Sequence, residues 1–448
     1  MIWLVDYTHY EKSIDPRLAE CKKDYFRLKS YVRANKIGKT APVSSRVYGT
    51  GLLRLATILK KNGKEIRYIH YYMLEDLLHS GEQLPEKIAF SSVCPTVPRC
   101  AVLAERIKQE FPQIKLLIGG VHVNLVPDLT RQRFPIFDEL IVGYEHEAAQ
   151  KIAGCKLFEV PEPYVDYSIL PFPLNEYAIN TFTTMGCPFR CDYCADGRAP
   201  HFCASKDGQI RDLKRLLPKR NLVHFFDSVL GYSETGIRRV CKALREAEHD
   251  FLLSCDMRAD LLTPALVKEL ESAGFVEIRL GLESADSEVL ERNNRTLHAD
   301  RFLDQIKMIR ESSNLYVALY SITGIPGSDC ASQERTLEFC DGLFQNHLVD
   351  EIKNALYVPY PMSNVDYSTK GITLLSENWE DYDRQSFPVF ETEKLSAEQL
   401  WELYTYTAQT INQSWLKSQG FVSFDDVPIM EGYYNEYVAA NYLLNADE

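Results

Sequence analysis

The chain alternates between short apolar, often β-branched runs and longer stretches in which apolar positions recur every three or four residues. The first kind predicts strands and the second amphipathic helices. In the first third, strands are expected at residues 2–6, 65–71, 87–92, 115–120 and 139–143. Helices are expected at 49–62, stopped by Gly63, at 73–79, at 98–111 and from Glu145 onward. Strands joined by helical crossovers form an open parallel sheet. Ligands of such sheets bind beyond the carboxyl ends of the strands. The loops there are Asp6-Tyr7-Thr8-His9, Ser91-Ser92-Val93-Cys94, Gly119-Gly120-Val121-His122 and Gly143-Tyr144-Glu145-His146-Glu147.

A stretch without period, bracketed by Pro161, Pro163, Pro171 and Pro173, follows at 156–177 and reads as a linker. Strand patterns then resume at 178–184, 221–227, 251–257, 275–283, 314–323 and 352–359, with helical patterns such as 234–247 and 264–273 between them. Six parallel strands with outer helices make a partial barrel whose chemistry lies at the carboxyl ends of its strands. The expected fold is α/β: a doubly wound Rossmann-like domain over 1–155, a partial (β/α)6 TIM-type barrel over 178–390, and a helical C-terminal extension over 391–448. In that extension a helix is expected at 395–416, with Ser396 as N-cap and Glu398 nearby. Aromatic residues beyond it, Phe421, Phe424, Tyr433, Tyr434, Tyr437 and Tyr442, are expected to pack over the open side of the barrel.

Composition narrows the classes. With 448 residues the chain has material for two or three domains. A net charge of -13 argues against a general nucleic-acid binder. No apolar run is long enough for a membrane span, and residues 1–6 read as a strand rather than a signal peptide. Twelve cysteines, scattered apart from one trio, then read as reduced thiols in a cytoplasmic protein.

The trio lies in Met185-Gly186-Cys187-Pro188-Phe189-Arg190-Cys191-Asp192-Tyr193-Cys194. Three thiolates on a short loop after a strand suit an iron–sulfur cluster or zinc. A closed zinc site needs a fourth ligand, and the nearby candidates, His201 and Cys203, have irregular spacing. Three ligands on a four-iron cluster leave one iron open. The loop, with Tyr193 before its last cysteine, resembles the signature of radical S-adenosylmethionine (SAM) enzymes. That resemblance implies a [4Fe-4S] cluster on Cys187, Cys191 and Cys194, with SAM on the open iron. It assigns SAM contacts at the strand ends: Phe226 and Asp227 to the methionine amine, Arg258 to its carboxylate, Glu283 and Ser284 to the ribose or amine, and Ile325 to the adenine side. Each could instead be a barrel-rim polar group. Tyr357 and Tyr360 would reach the rim, either to meet a substrate or to pack.

The first domain resembles the cobalamin-binding domain that precedes the radical core in many of these enzymes. Gly119-Gly120-Val121-His122 matches its Gly-Gly-x-His turn, so Gly119, Gly120 and His122 are candidate cobalamin contacts. The Asp-x-His-x-x-Gly box of base-off cobalamin proteins is absent. Tyr144 and His146 stand where the family has small and acidic residues, and bulk there would fill the corrin's space. Residues 7–48 carry ten Lys or Arg against four acids. They read either as a solvated helical face or as a cover that meets an anionic or hydroxyl-rich substrate.

The resemblance implies reductive cleavage of SAM to a 5'-deoxyadenosyl radical, which takes hydrogen from a small polar substrate. An external electron donor of flavodoxin or ferredoxin type is expected, and no nucleic-acid or membrane partner. With an emptied cobalamin domain the expected outcome is dehydration, epimerisation or rearrangement in natural-product biosynthesis, as in the radical dehydratase of apramycin-type aminoglycoside pathways. The alternatives are a cobalamin-dependent methyltransferase and, from another class, a non-catalytic metal- or cluster-binding module.

Overall fold

All six residues of strand β1, Ile2–Tyr7, are buried, which marks it as the interior of a sheet covered on both faces. The computed structural model describes the chain except for residues 9–14, 39–45, 161–164, 199–201, 204–221, 297, 362, 364–365, 385 and 431–448. His9, Lys12, Lys39, His201 and the four tail tyrosines lie outside the described residues. Strand β1 pairs in parallel with β2, Ile66–His70, and β3, Lys87–Ser92. Strands β4, Lys115–Gly119, and β5, Glu139–Leu140, complete the order β2-β1-β3-β4-β5. Side chains alternate across the sheet as pleating requires. Leu4, Ala89 and Leu117 face one core with Leu53, Ala56 and Ala148. Trp3, Val5, Ile88, Phe90 and Ile118 face the other with Val97, Cys100 and Ala104. The doubly wound reading is what the structure shows.

The second sheet contains β6, Ile179–Thr181; β9, Leu222–Phe225; β10, Leu252–Met257; β11, Phe275–Glu283; β12, Tyr316–Thr323; and β13, Glu351–Leu356. All pair in parallel in the order β13-β12-β11-β10-β9-β6, leaving β13 and β6 as the edges of an open barrel. Two small hairpins decorate it: β7, Thr184–Met185, with β8, Phe202–Cys203, and β14, Ile372–Leu374, with β15, Phe390–Thr392. The run expected as one strand over 178–184 is thus divided. The ladder stops because the Asp227 carboxylate, not the next strand, accepts the Thr183 N–H. The stretch expected as a linker is partly packed: Val165, Tyr167, Leu170 and Tyr177 are buried in a core continuous with both sheets.

The basic insertion forms the helix Pro16–Lys36, opened by Pro16 and capped by Asp15. Neither reading of it stands. The helix lies against the C-terminal helix Ala397–Ser418 and the amino end of the barrel, where Lys29, Arg33 and Lys36 meet acids. Buried Arg33 pairs with buried Glu277. Lys29 is 3.4 Å from Glu351 and Lys36 is 2.6 Å from Asp350. Arg27 donates to the Val427 carbonyl at 2.9 Å, and Asn412 donates to the Cys21 carbonyl at 2.8 Å. Burial alone would raise the Glu277 pKa, but Arg279, Arg33 and Lys29 hold it well below the usual carboxylate range. The Ser396 cap forms as expected, with Gln399 rather than Glu398 closing the capping box.

Candidate active site

The cysteine loop is tied down from four directions. Gly186, at φ 74°, turns the chain out of β7, and its carbonyl accepts from the Tyr232 hydroxyl at 2.8 Å. The Cys187 N–H donates to the Asp196 carbonyl at 3.2 Å, and the Asp192 N–H to the Asn293 carbonyl at 3.2 Å. Asn294 donates to the Arg190 carbonyl at 2.7 Å, and Lys370 pairs with Asp192 at 2.6 Å. Burial pushes the Cys187 thiol up and the Cys194 thiol to about 12, and the neighbouring thiolates add to both shifts. Such thiols ionise only with a cation to compensate, which bound iron provides. Among the described residues no three His, Cys, Asp or Glu converge tightly enough for one metal ion.

The strand-end residues divide between this loop and the lumen. Asp227 is buried and faces backwards: it accepts from the Thr183 N–H at 3.1 and 3.0 Å, from the Thr183 hydroxyl at 2.7 Å, and from the Thr184 hydroxyl. Burial pushes its pKa up against those hydrogen bonds. Arg258 gives its fork to Asp260, at 3.0 and 2.6 Å, and lies over the Phe189 ring. Asp227 thus fixes the start of the cysteine loop and Arg258 its middle. Glu283 sits in the left-handed region at φ 64°, beside a register shift in β11. A Cβ on Gly281 would stand 2.2 Å from its carboxylate, so a larger residue there would push that carboxylate aside. Burial raises the Glu283 pKa, opposed by Arg295, Tyr193, Arg384 and Arg258 around it. A strained, half-buried carboxylate beside Tyr193 of the cysteine loop is the strongest candidate for a SAM contact among these positions.

Phe226 is 66 % exposed, and its N–H continues the ladder to Thr181 at 2.7 Å. Ser284 is buried against Thr336, and its hydroxyl accepts from the Asp286 N–H at 3.1 Å. Ile325 is fully buried behind Gly324. Tyr357 packs edge-on against Phe390, with centroids 5.3 Å apart, which is the packing reading. Tyr360 faces Arg384. Sequence reasoning missed Arg295, which donates to the Gly281 carbonyl at 2.7 Å, and Arg384; neither belongs to a motif.

A cavity of ≈440 Å³ lies where the carboxyl ends of the first sheet meet the cysteine loop. Gly49, Ser92, Gly119, Gly120, Gly143 and Tyr144 line one side; Phe182, Thr184, Gly186, Asp196, Phe226 and Ser228 line the other. At Gly120, φ 112°, a Cβ would meet the Ser92 carbonyl oxygen at 2.2 Å. His146 does not enter the cavity; its Nε2 lies 2.9 Å from the Leu157 carbonyl oxygen. His122 is also turned away. It is fully buried with its ring 4.3 Å from that of Trp379, and burial lowers its pKa to about 4. Glycine backbone on one wall and the cluster loop on the other fit a flat cofactor such as cobalamin.

Comparison with known proteins follows the same division. A model of the Radical SAM superfamily matches residues 181–340, and one of the B12 binding domain matches 40–153. An uncharacterized methyltransferase of Pyrococcus horikoshii is 20 % identical over 420 residues, covering 81 % of this chain and 88 % of that protein. The structure of the radical SAM methyltransferase TsrM from Kitasatospora setae, with tryptophan substrate and the SAM analogue aza-SAM bound, aligns with 99 % of this chain and 94 % of its own. The TM-score is 0.63 and the identity 15 %. The cobalamin-dependent SAM radical enzyme OxsB, with aqua-cobalamin and SAM bound, covers 76 % of this chain and 51 % of its own, at TM-score 0.51 and 16 % identity. Motif, domain order and fold agree: the chain carries a radical SAM domain preceded by a B12 binding domain.

Proposed function

We propose that the protein is a cobalamin-dependent radical SAM methyltransferase acting on a small polar molecule. The observation that carries this reading is the cavity shared by Gly119, Gly120 and Gly143 with Thr184, Gly186 and Phe226. It puts a B12-binding face directly beside the cysteine loop. The dehydration, epimerisation or rearrangement reading needed Tyr144 and His146 to fill that face. Tyr144 is one wall residue of a cavity that persists, and His146 has left it. The methyltransferase names of TsrM and the Pyrococcus protein support the same choice.

When bound, the cofactors supply a reductively cleavable sulfonium and a transferable methyl group. The chain's own part is to position and exclude. Cys187, Cys191 and Cys194 would hold the cluster; Thr183 and Thr184, fixed by Asp227, set the loop's origin; Phe189, under Arg258, caps its middle. Glu283, with Arg295 beside it, offers a carboxylate to the SAM ribose or amine. Phe226 lines the cavity as an apolar wall on the side of the cysteine loop. The reading predicts a corrin absorbance in protein reconstituted anaerobically with hydroxocobalamin, and both S-adenosylhomocysteine and 5'-deoxyadenosine from SAM. Turnover of SAM to 5'-deoxyadenosine alone, with no corrin uptake, would return the protein to the rearrangement class.

A further inference from the structure

The lumen of the barrel, below the cysteine loop, carries an arrangement of charges that the cofactors do not use. Residues alternating along the strands face it: His224 of β9, Asp256 of β10, Arg279 of β11, Tyr320 of β12 and Lys353 of β13. They are neighbours by register, Asp256 opposite Arg279 and Tyr320 opposite Lys353. Their chain neighbours Ile278, Leu280 and Leu319 point outward into the core. The floor is neutralised from below. Glu277 is engaged by Arg33 and by Arg279 at 2.6 Å, and Glu351 by Lys29 and, at 3.0 Å, by the Tyr316 hydroxyl.

One level higher the balance is different. Lys353 is hemmed by Lys29, Arg384 and Arg279, with Glu351 as the opposing charge, and Lys22 faces it from the helix Pro16–Lys36. Lys353 is nevertheless exposed to solvent. Across the lumen, Asp256 has one oxygen 3.3 Å from His224 Nε2, while the other is buried without a hydrogen-bond partner. Gathered like charges and an unsatisfied buried acceptor both raise the energy of the empty site. A ligand that supplied an anion to the first and a donor to the second would relieve both. Arg384 also faces Glu283 and Tyr360, linking this level to the cysteine loop above.

We propose that this layer is the substrate anchor: Lys353, Arg384 and Arg279 bind an oxyanion of the substrate, a carboxylate or a phosphate, and Asp256 accepts an N–H or O–H from the same molecule. The proposal rests on the reading of the protein as an enzyme of small molecules and adds the class of molecule. A guanidinium fork matches the planar or tetrahedral oxygens of such a group, and an ammonium beside it adds a point charge. Held there, the substrate extends toward the cysteine loop and Phe226.

The test reads lysine reactivity and needs neither cobalamin nor turnover. The full chain is treated with trinitrobenzenesulfonate at pH 8, and labelled peptides are quantified by mass spectrometry. Burial and the neighbouring cations lower the Lys353 pKa to about 8, whereas an ordinary lysine titrates near ~10.4. Lys353 should therefore label on the order of tenfold faster than exposed Lys268, and inorganic phosphate or acetate should protect it. Protection by phosphate alone indicates a phosphorylated substrate, and by acetate alone a carboxylate. In Arg384→Gln the protecting concentration should rise on the order of tenfold, with the circular dichroism spectrum unchanged. Labelling of Lys353 no faster than Lys268, absence of protection by either anion, or unaltered protection in Arg384→Gln would each overturn the proposal. Corrin content measured on the same preparation separates that failure from a failure of the methyltransferase reading.

Discussion

Arg258 lies over Phe189 with its guanidinium carbon 4.0 Å from the ring centroid, so a residue at a barrel strand end presses on the middle of the cysteine loop. Asp260 holds it there through both carboxylate oxygens. Asp260→Asn should therefore lower the iron retained after anaerobic reconstitution, because Arg258 loses its orienting charge. Arg258→Lys should do the same, since an ammonium cannot both fork and stack. If iron content is unchanged in both variants while SAM affinity falls, Arg258 acts as a carboxylate clamp and not as a brace.

His122 links stability to pH. Its folded-state pKa of about 4 lies below the ordinary histidine value. A depressed pKa contributes stability that is present above ~6.5 and is lost as pH falls towards 4, up to roughly 3 kcal/mol for a shift of this size. His122→Leu should narrow the loss of thermal midpoint between pH 7 and pH 5, measured by scanning calorimetry. It should also leave corrin uptake intact, because the ring faces Trp379 and not the cavity.

Gly120→Ala should fail on both counts. The new Cβ would meet the Ser92 backbone at 2.2 Å, at a φ that side chains rarely adopt. A cost of more than about 1 kcal/mol is expected from the conformation alone. The midpoint of urea unfolding should drop, and hydroxocobalamin should not be retained on a desalting column.

Removing one partner of a buried ion pair strands the other. Arg33→Met should destabilise the protein by about 3 kcal/mol, somewhat softened because Arg279 still faces Glu277. Arg33→Met with Glu277→Leu should recover much of that loss in urea unfolding. Iron content should be unaffected in both, since the pair lies at the opposite end of the barrel from the cysteines.

These outcomes also mark where sequence reading ends. Both parallel sheets were legible, because strands buried on two faces leave apolar runs such as those of β1 and β4. The cysteine spacing was legible because its ligands are local. The side-chain partners were not. Asp227 and Arg258 stand at expected strand ends, yet nothing in the neighbouring residues says that Thr183 and Asp260 would engage them first. Tyr144 and His146 share one turn, but a single backbone rotation puts the first on the cavity wall and the second against Leu157. The basic insertion was least legible: Arg33 finds its acid 244 positions away, beyond the reach of any periodicity.

That last distance has a bearing on synthesis. Strand β1 is an inner strand of the first sheet, and the helix that follows it docks on Glu277, Asp350, Asn412 and Val427. A ribosome releases these partners long after the helix, so the amino-terminal half emerges with a basic helix whose acids and packing partners do not yet exist. Contacts of such separation close slowly, and half-made domains with exposed helices aggregate. The helix works as a clasp, fastened only after nearly the whole chain has been made. The two catalytic halves should thus fold as one transaction, and neither should survive being expressed alone.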